Sequence, residues 1–150
     1  MKTPIRDIRE MKIAGVEVQS YPVENEYIET YFKWVPYHLQ AAFAKNETIV
    51  GYLKGWHHAP VFTEVETHTD NEVFYFVHGA CLMLFCDLEQ GTPVMESMQL
   101  ARIEPGTQII VHAGKGHFVP VAVEDSFDAV VYAPDQQAPR VQLPEVVEGV

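Results

Sequence analysis

From residue 47 to residue 134 apolar and polar positions alternate in short runs rich in Val, Ile, Phe, Tyr and Thr, with Gly, Pro, Asp and Asn between them. A period of two over four to eight residues places successive side chains on opposite faces of an extended chain, so each run predicts a strand. Eight runs carry the pattern: ETIVGYLKGW, APVFTEVETH, EVFYFVH, ACLMLFCDL, ESMQLARI, TQIIVHA, HFVPVAV and FDAVVYAP. Their regular spacing predicts an all-β sandwich or barrel with no strong helix. The turns have chemistry to match, since Thr69-Asp70-Asn71, His78-Gly79, Glu89-Gln90-Gly91, Glu104-Pro105-Gly106 and Glu124-Asp125 tolerate tight or left-handed backbone.

The first 46 residues predict a strand at VEVQSY, another at YIETYFKWV and a short helical stretch at HLQAAFAKN, which together cover or extend the barrel. The tail from Gln137 to Val150 has Pro139 and Pro144 and no clear period, so it is expected to wrap the surface or meet another subunit. The expected organisation is one domain over residues 1–150: a barrel core at about 47–134, an N-terminal extension 1–46 and a tail 135–150. A chain of 150 residues can bury its own core.

Charge narrows the partners. Asp and Glu number 21 against 10 Lys and Arg, a formal net charge of −11 that repels phosphate backbones and anionic membranes, so neither nucleic acid nor membrane is expected. With no apolar leader and no run of about 18 apolar residues, a cytoplasmic location is expected. Cys81 and Cys86 lie five positions apart on one strand and face opposite ways, so both read as small buried hydrophobes.

Chemistry concentrates in two places. In TEVETHTDNE, alternation puts Glu64, Glu66 and His68 on one face, and the next strand opens with Glu72 after a three-residue turn, so Glu66, His68 and Glu72 can converge across a hairpin. In HAGKGHFVP, glycines on either side of Lys115 let a loop approach closely and offer His117 to the same place. Alternating acids are more often the solvated face of a sheet, and a lone histidine is more often a satisfied loop residue. Brought together, two carboxylates and two imidazoles suit Mn, Fe, Co, Ni or Zn.

Order and spacing also resemble the cupin signature. Its first motif is His-x-His, three or four residues, Glu, six residues, Gly; here Glu66-Thr67-His68 precedes three residues, Glu72, six residues and Gly79. Its second motif, Pro-x-Gly-x-x-His, corresponds to His112-Ala113-Gly114-Lys115-Gly116-His117, with His112 in place of Pro and Val121 at the final Asn position. The resemblance, over about residues 50–134, implies a jelly-roll barrel with a divalent metal ion on His68, Glu72 and His117, and Glu66 at the first-His position. Glu66 with His68, and His112 with His117, are similar to ureidoglycolate lyase cupins, although Phe118 stands where those carry a further histidine.

The leading expectation is a metal-dependent enzyme on a small oxygenated metabolite, in its most concrete form a lyase releasing urea and glyoxylate with Glu66 or His112 as general base. An Fe(II) dioxygenase and a non-catalytic small-ligand or sugar-binding cupin are the alternatives. For substrate contacts the candidates are His58, Arg102 and Lys115, with Lys54 a further cation. Phe74, Phe76, Leu82, Leu84, Phe118, Val130 and Tyr132 are expected to line the barrel, and a homodimer through residues 1–46 is expected to cover its edges.

Overall fold

The computed structural model describes residues 1–24 and 26–150. The strands are β1 (Lys2–Thr3), β2 (Ile5–Asp7), β3 (Val16–Ser20), β4 (Tyr27–Ile28), β5 (Lys33–Trp34), β6 (Ile49–Trp56), β7 (Val61–Glu66), β8 (Glu72–His78) and β9 (Cys81–Cys86). They continue as β10 (Leu88–Glu89), β11 (Thr92–Pro93), β12 (Gln99–Ile103), β13 (Thr107–Val111), β14 (Gly116–His117), β15 (Val121–Ala122), β16 (Ser126–Ala133) and β17 (Arg140–Gly149). One sheet runs β1-β17-β7-β14-β9-β12-β2 with β15 also on β9, and the second runs β3-β13-β8-β16-β6. The two face each other as a jelly-roll β-barrel.

Between the sheets lies a core that takes Phe74 and Phe76 from β8, Met83 and Phe85 from β9, Ile109 from β13 and Phe127 from β16. Each such side chain contributes roughly 1.5–3 kcal/mol by burial. A second cluster, with Phe62, Val65, Leu82, Leu84, Leu100 and Val147, covers the opposite face of the larger sheet. All six residues of β9 are therefore buried, which is why CLMLFC is apolar throughout instead of alternating. Cys81 faces one cluster and Cys86 the other, and both thiols are free.

Two turns repay the sequence reading in detail. Gln90 and Gly91 join β10 to β11 with φ of 50° and 80°, the left-handed pair that a two-residue hairpin loop needs. Gly79, with φ 67°, turns β8 into β9 against β16, where an added Cβ would sit 2.1 Å from the Ser126 carbonyl oxygen.

Several expectations are corrected. The run YIETYFKWV is not one strand but the short hairpin β4–β5, and residues 38–46 form no helix. That stretch is pinned in irregular form because the buried Asp70 carboxylate accepts from the Ala44 and Lys45 amides and the Asn71 side chain donates to the Ala42 carbonyl. The tail is not a surface wrap: β17 pairs antiparallel with β7 and parallel with β1. A register break between Gln142 and Val147, around Pro144, hides its alternation. In β16 it is Phe127, Ala129 and Val131 that face the core, while Tyr132 lies on the outer face and is 39% exposed. HFVPVAV splits into β14 and β15 on either side of Pro120. No helix among the described residues is long and apolar enough to cross a membrane.

Candidate metal centre

The four residues come together where the chain leaves one sheet for the other. Glu66 ends β7 and sits directly across from His117 in β14; Glu72 opens β8 in the facing sheet; His68 lies on the connector between them. β14 can lie between β7 and β9 because Gly116 has no side chain: a Cβ there would be 2.6 Å from Cys86 Sγ. Between His68 and Glu72 the turn is tied on three sides. Asp70 and Asn71 hold residues 42–45, the Asp70 amide donates to Gln136 Oε1, and the Ala113 amide donates to Asn71 Oδ1.

The donor atoms converge. Glu72 Oε2 is 3.1 Å from His117 Nε2 and 3.2 Å from His68 Nε2, and Glu66 Oε1 is 3.9 Å from each of those nitrogens. Ligands at about 2.0–2.2 Å from one ion lie roughly 3–4 Å from one another; Glu66, His68 and His117 each bring one ligand atom within 4.8 Å of the other two and fit a shared divalent ion, while Glu72 contacts both imidazoles from beside that group. His117 is 1% exposed, and the side chains of His68, Glu72 and Glu66 are 9%, 13% and 16% exposed. Phe74 packs edge-on against His117 with ring centres 6.3 Å apart, fixing the imidazole plane.

Protons decide how that cluster can be satisfied. His117 Nδ1 lies 3.0 Å from the Lys115 carbonyl oxygen, which can only accept, so Nδ1 carries the hydrogen. Neutral His117 therefore turns a bare Nε2 lone pair toward two carboxylates, an arrangement that needs a proton or a cation between them. In His68 both ring nitrogens are buried without a hydrogen-bond partner among the described residues, the Nε2 approach to Glu72 lacking hydrogen-bond geometry. A ligated ion answers both conditions: it takes the His117 and His68 nitrogens and neutralises the two carboxylates.

Burial disfavours the Glu72 carboxylate, but a hydrogen bond from protonated His117, the close approach of His68 and the charge of both imidazoles outweigh it and bring its pKa down to about 2. For His68, burial pulls the pKa down, and contact with Glu72 plus the charge of Glu66 overcome that and raise it above 6.5. Glu72 thus stabilises the metal-free fold above its unfolded value near 4.5, and the contribution is lost as pH falls toward about 2. His68 stabilises it below 6.5 and loses that contribution as pH rises through its raised value. Chelator-treated protein is expected to show its highest Tm between these limits, with roughly 2–4 °C lost per kcal/mol on either side. Metal-loaded protein should show no decline on the alkaline side, because proton loss favours ligation. Thermal melts from pH 3 to pH 9, with and without chelator, test this; identical curves would refute it.

Two cavities meet at the cluster. One, of about 250 Å³, is lined by Glu66, Glu72 and His117 at one end and by Leu53, Phe74, Phe118, Val119 and Val131 elsewhere. The other, of about 200 Å³, reaches His68 and Glu72 past Ile49, Ala133 and Asp135. The largest depression, about 870 Å³ along Ile8 to Pro22, contains none of the four ligand candidates. Size there is not matched by convergent ionisable groups.

The other sequence candidates lie elsewhere. His112 leaves the end of β13 for solvent and pairs with Glu17 at 2.8 Å; its side chain is 46% exposed. His58 is exposed and its Nδ1 bonds the neighbouring Ala59 carbonyl. Arg102 pairs with Glu104 at 2.8 Å on the larger sheet, outside both cavities. Lys115 is buried but directs its ammonium to Asp87 at 2.7 Å, so its link to the site is the carbonyl that orients His117. Glu64 turns to Arg140 and Gln142 on β17, and Lys54 pairs with Asp128. Sequence reasoning missed the cavity walls Leu53, Val119 and Val131, which come from distant segments. It also passed over Asp70-Asn71 as a mere turn, although an Asx pair between two candidate ligands was a usable signal.

No family model and no curated protein matches the chain. Among solved structures it is similar to dTDP-6-deoxy-D-glucose-3,5-epimerase RmlC from Legionella pneumophila Philadelphia 1 in complex with dTDP-4-keto-L-rhamnose. The TM-score is 0.54 at 9% identity over 85% of this chain and 77% of that one. It is also similar to a double mutant of ChmJ, a 3'-monoepimerase from Streptomyces bikiniensis in complex with dTDP, with TM-score 0.51 and 15% identity. That match covers 81% of this chain and 64% of ChmJ's length. At these identities the likeness shows the shared fold alone, a jelly-roll β-barrel.

Proposed function

We propose that the barrel holds a divalent metal ion on Glu66, His68, Glu72 and His117 and is an enzyme acting on a small oxygenated molecule bound beside it. The observation that carries this reading is the convergence of His117 Nε2 and His68 Nε2 on the Glu66 and Glu72 carboxylates, with His117 Nδ1 committed to the Lys115 carbonyl and both His68 nitrogens without a hydrogen-bond partner among the described residues. Such an ion supplies Lewis acidity to a coordinated oxygen. The chain's own part is to hold His117 in one tautomer through the Lys115 carbonyl, pack Phe74 edge-on against that ring and leave the cavity side of the cluster open. With His112 turned to Glu17, Glu66 is the remaining candidate base: it stands farthest from the histidines and lines the cavity.

Elemental analysis of protein purified without chelator tests the reading. About one equivalent of Mn, Fe, Co, Ni or Zn is expected, and a metal-free preparation that also fails to take up added Zn²⁺ would refute it. Urea release from ureidoglycolate tests the lyase form, and oxygen consumption the dioxygenase form. With the charge of the proposed ion offset by Glu66 and Glu72 and no Lys or Arg among the described lining residues, the cavity does not favour the ureidoglycolate anion.

A metal-free reading has one observation in its favour. His117 Nε2 lies 3.1 Å from Glu72 Oε2, a protonated pair of this kind suits proton transfer, and both neighbours are named as epimerases. The dTDP-4-keto-L-rhamnose of one neighbour and the dTDP of the other are larger than a cavity of about 250 Å³ and would have to extend beyond it.

We also propose a homodimer through the N-terminal arm. Tyr27, Ile28, Tyr31, Phe32 and Trp34 on the β4–β5 hairpin are between 52% and 96% exposed, an apolar cluster that a lone chain leaves in water. Light scattering is expected to give twice 17.0 kDa, and Phe32→Ser with Trp34→Ser to give the monomer mass. A monomeric wild type would end the proposal.

A further inference from the structure

The cavity beside the cluster is specific about what it can hold. It measures about 250 Å³, roughly eight water-sized volumes at about 30 Å³ each and below the roughly 300–1,000 Å³ of sites that enclose drug-sized ligands. Leu53 on β6, Phe74 on β8, Val131 on β16 and Phe118 and Val119 after β14 give it apolar walls. Its polar end is Glu66, Glu72 and His117. Neither Lys nor Arg is among the described residues lining it. Arg140, whose guanidinium stacks over the Phe118 ring at 5.3 Å, is held by Glu64 at 2.7 Å.

We infer that this cavity takes an uncharged, single-ring or branched-aliphatic compound with hydroxyl groups at one end, and rejects carboxylates and phosphates of the same size. The inference rests on the proposed site and extends it to ligand class. An apolar body of that size fills the walls, and hydroxyl oxygens suit the polar end because they can ligate an ion or donate to a carboxylate. An anionic group would meet an ion whose charge Glu66 and Glu72 already offset, and no Lys or Arg among the described lining residues adds positive charge to hold it. A nucleoside diphosphate is larger than the cavity and would place its charged groups outside these apolar walls.

Calorimetric titration with catechol, benzoate and thymidine diphosphate, on Zn²⁺-loaded and chelator-treated protein, tests this. Catechol is expected to bind at least about tenfold more tightly than benzoate, with thymidine diphosphate not binding. Val131→Phe, which fills the cavity opposite Gly51, should weaken catechol at least about tenfold while the zinc content stays unchanged. If that variant melts early, Leu53→Phe repeats the test from the neighbouring strand β6. Benzoate or the nucleotide binding as well as catechol, no catechol binding, or catechol binding undiminished in the filled variant would each overturn the inference. Zinc retained without catechol selectivity overturns this inference alone. Selective catechol binding by protein that takes up no zinc supports it and removes the metal.

Discussion

Alanine in place of His117 is expected to abolish metal binding at the proposed site, with affinity for Zn²⁺ falling more than about a hundredfold, since even partners one step removed from an ion cost 10–100-fold when lost. His117 supplies the one nitrogen whose protonation is dictated by the backbone: the Lys115 carbonyl occupies Nδ1, so no alternative tautomer can rescue the geometry. Without it Glu66 and Glu72 face each other with His68 alone. Because His117 is 1% exposed, its removal also leaves a hole. His68→Ala is the cleaner companion, for its nitrogens have no hydrogen bonds to lose. Metal content and a Zn²⁺ competition titration read both variants, and unchanged metal in both would disprove the site. Glu66→Gln separates the carboxylates: a drop in affinity makes Glu66 a ligand, whereas retained metal with lost turnover makes it a base.

Gly79→Ala is expected to cost about 2–5 kcal/mol without touching the cluster, combining about 1–2 kcal/mol for a left-handed non-glycine residue with about 1–3 kcal/mol for overpacking. The contact is unforgiving because the atom met at 2.1 Å is the Ser126 backbone oxygen, which β16 holds in its ladder. Urea denaturation should show the loss as a lower midpoint at unchanged slope. A loss below about 1 kcal/mol would mean that the β8–β9 turn can move. The glycine of the first motif is thus a packing requirement, separable from the ligands whose spacing identifies it.

The barrel was legible because most strands face water on one side and core on the other, which writes a period of two into the sequence. Where that premise fails, legibility fails. In β17 the break around Pro144 interrupts the period, and residues 38–46 are shaped by Asp70 and Asn71 and not by their own pattern. The grouping of Glu66, His68, Glu72 and His117 could be read because motif spacing fixes register across the hairpin and loop. The direction of lone cations could not. Lys115 and Arg102 found partners in Asp87 and Glu104, and no periodicity says which neighbour a long side chain will reach. The cavity walls needed three-dimensional contacts between segments up to 78 positions apart, from Leu53 to Val131.

The strand β9 has one more consequence, for how the chain survives its own synthesis. Cys81 to Cys86 is a six-residue run with no charge, no proline and no polar side chain outside its thiols, shielded on both faces only once the barrel closes. Its neighbours β12 and β14 lie later in the sequence, so a nascent chain exposes this run until they emerge. Such a segment is a template for intermolecular strand pairing. Refolding yield, and not equilibrium stability, is therefore where dilution and temperature should matter most for this protein.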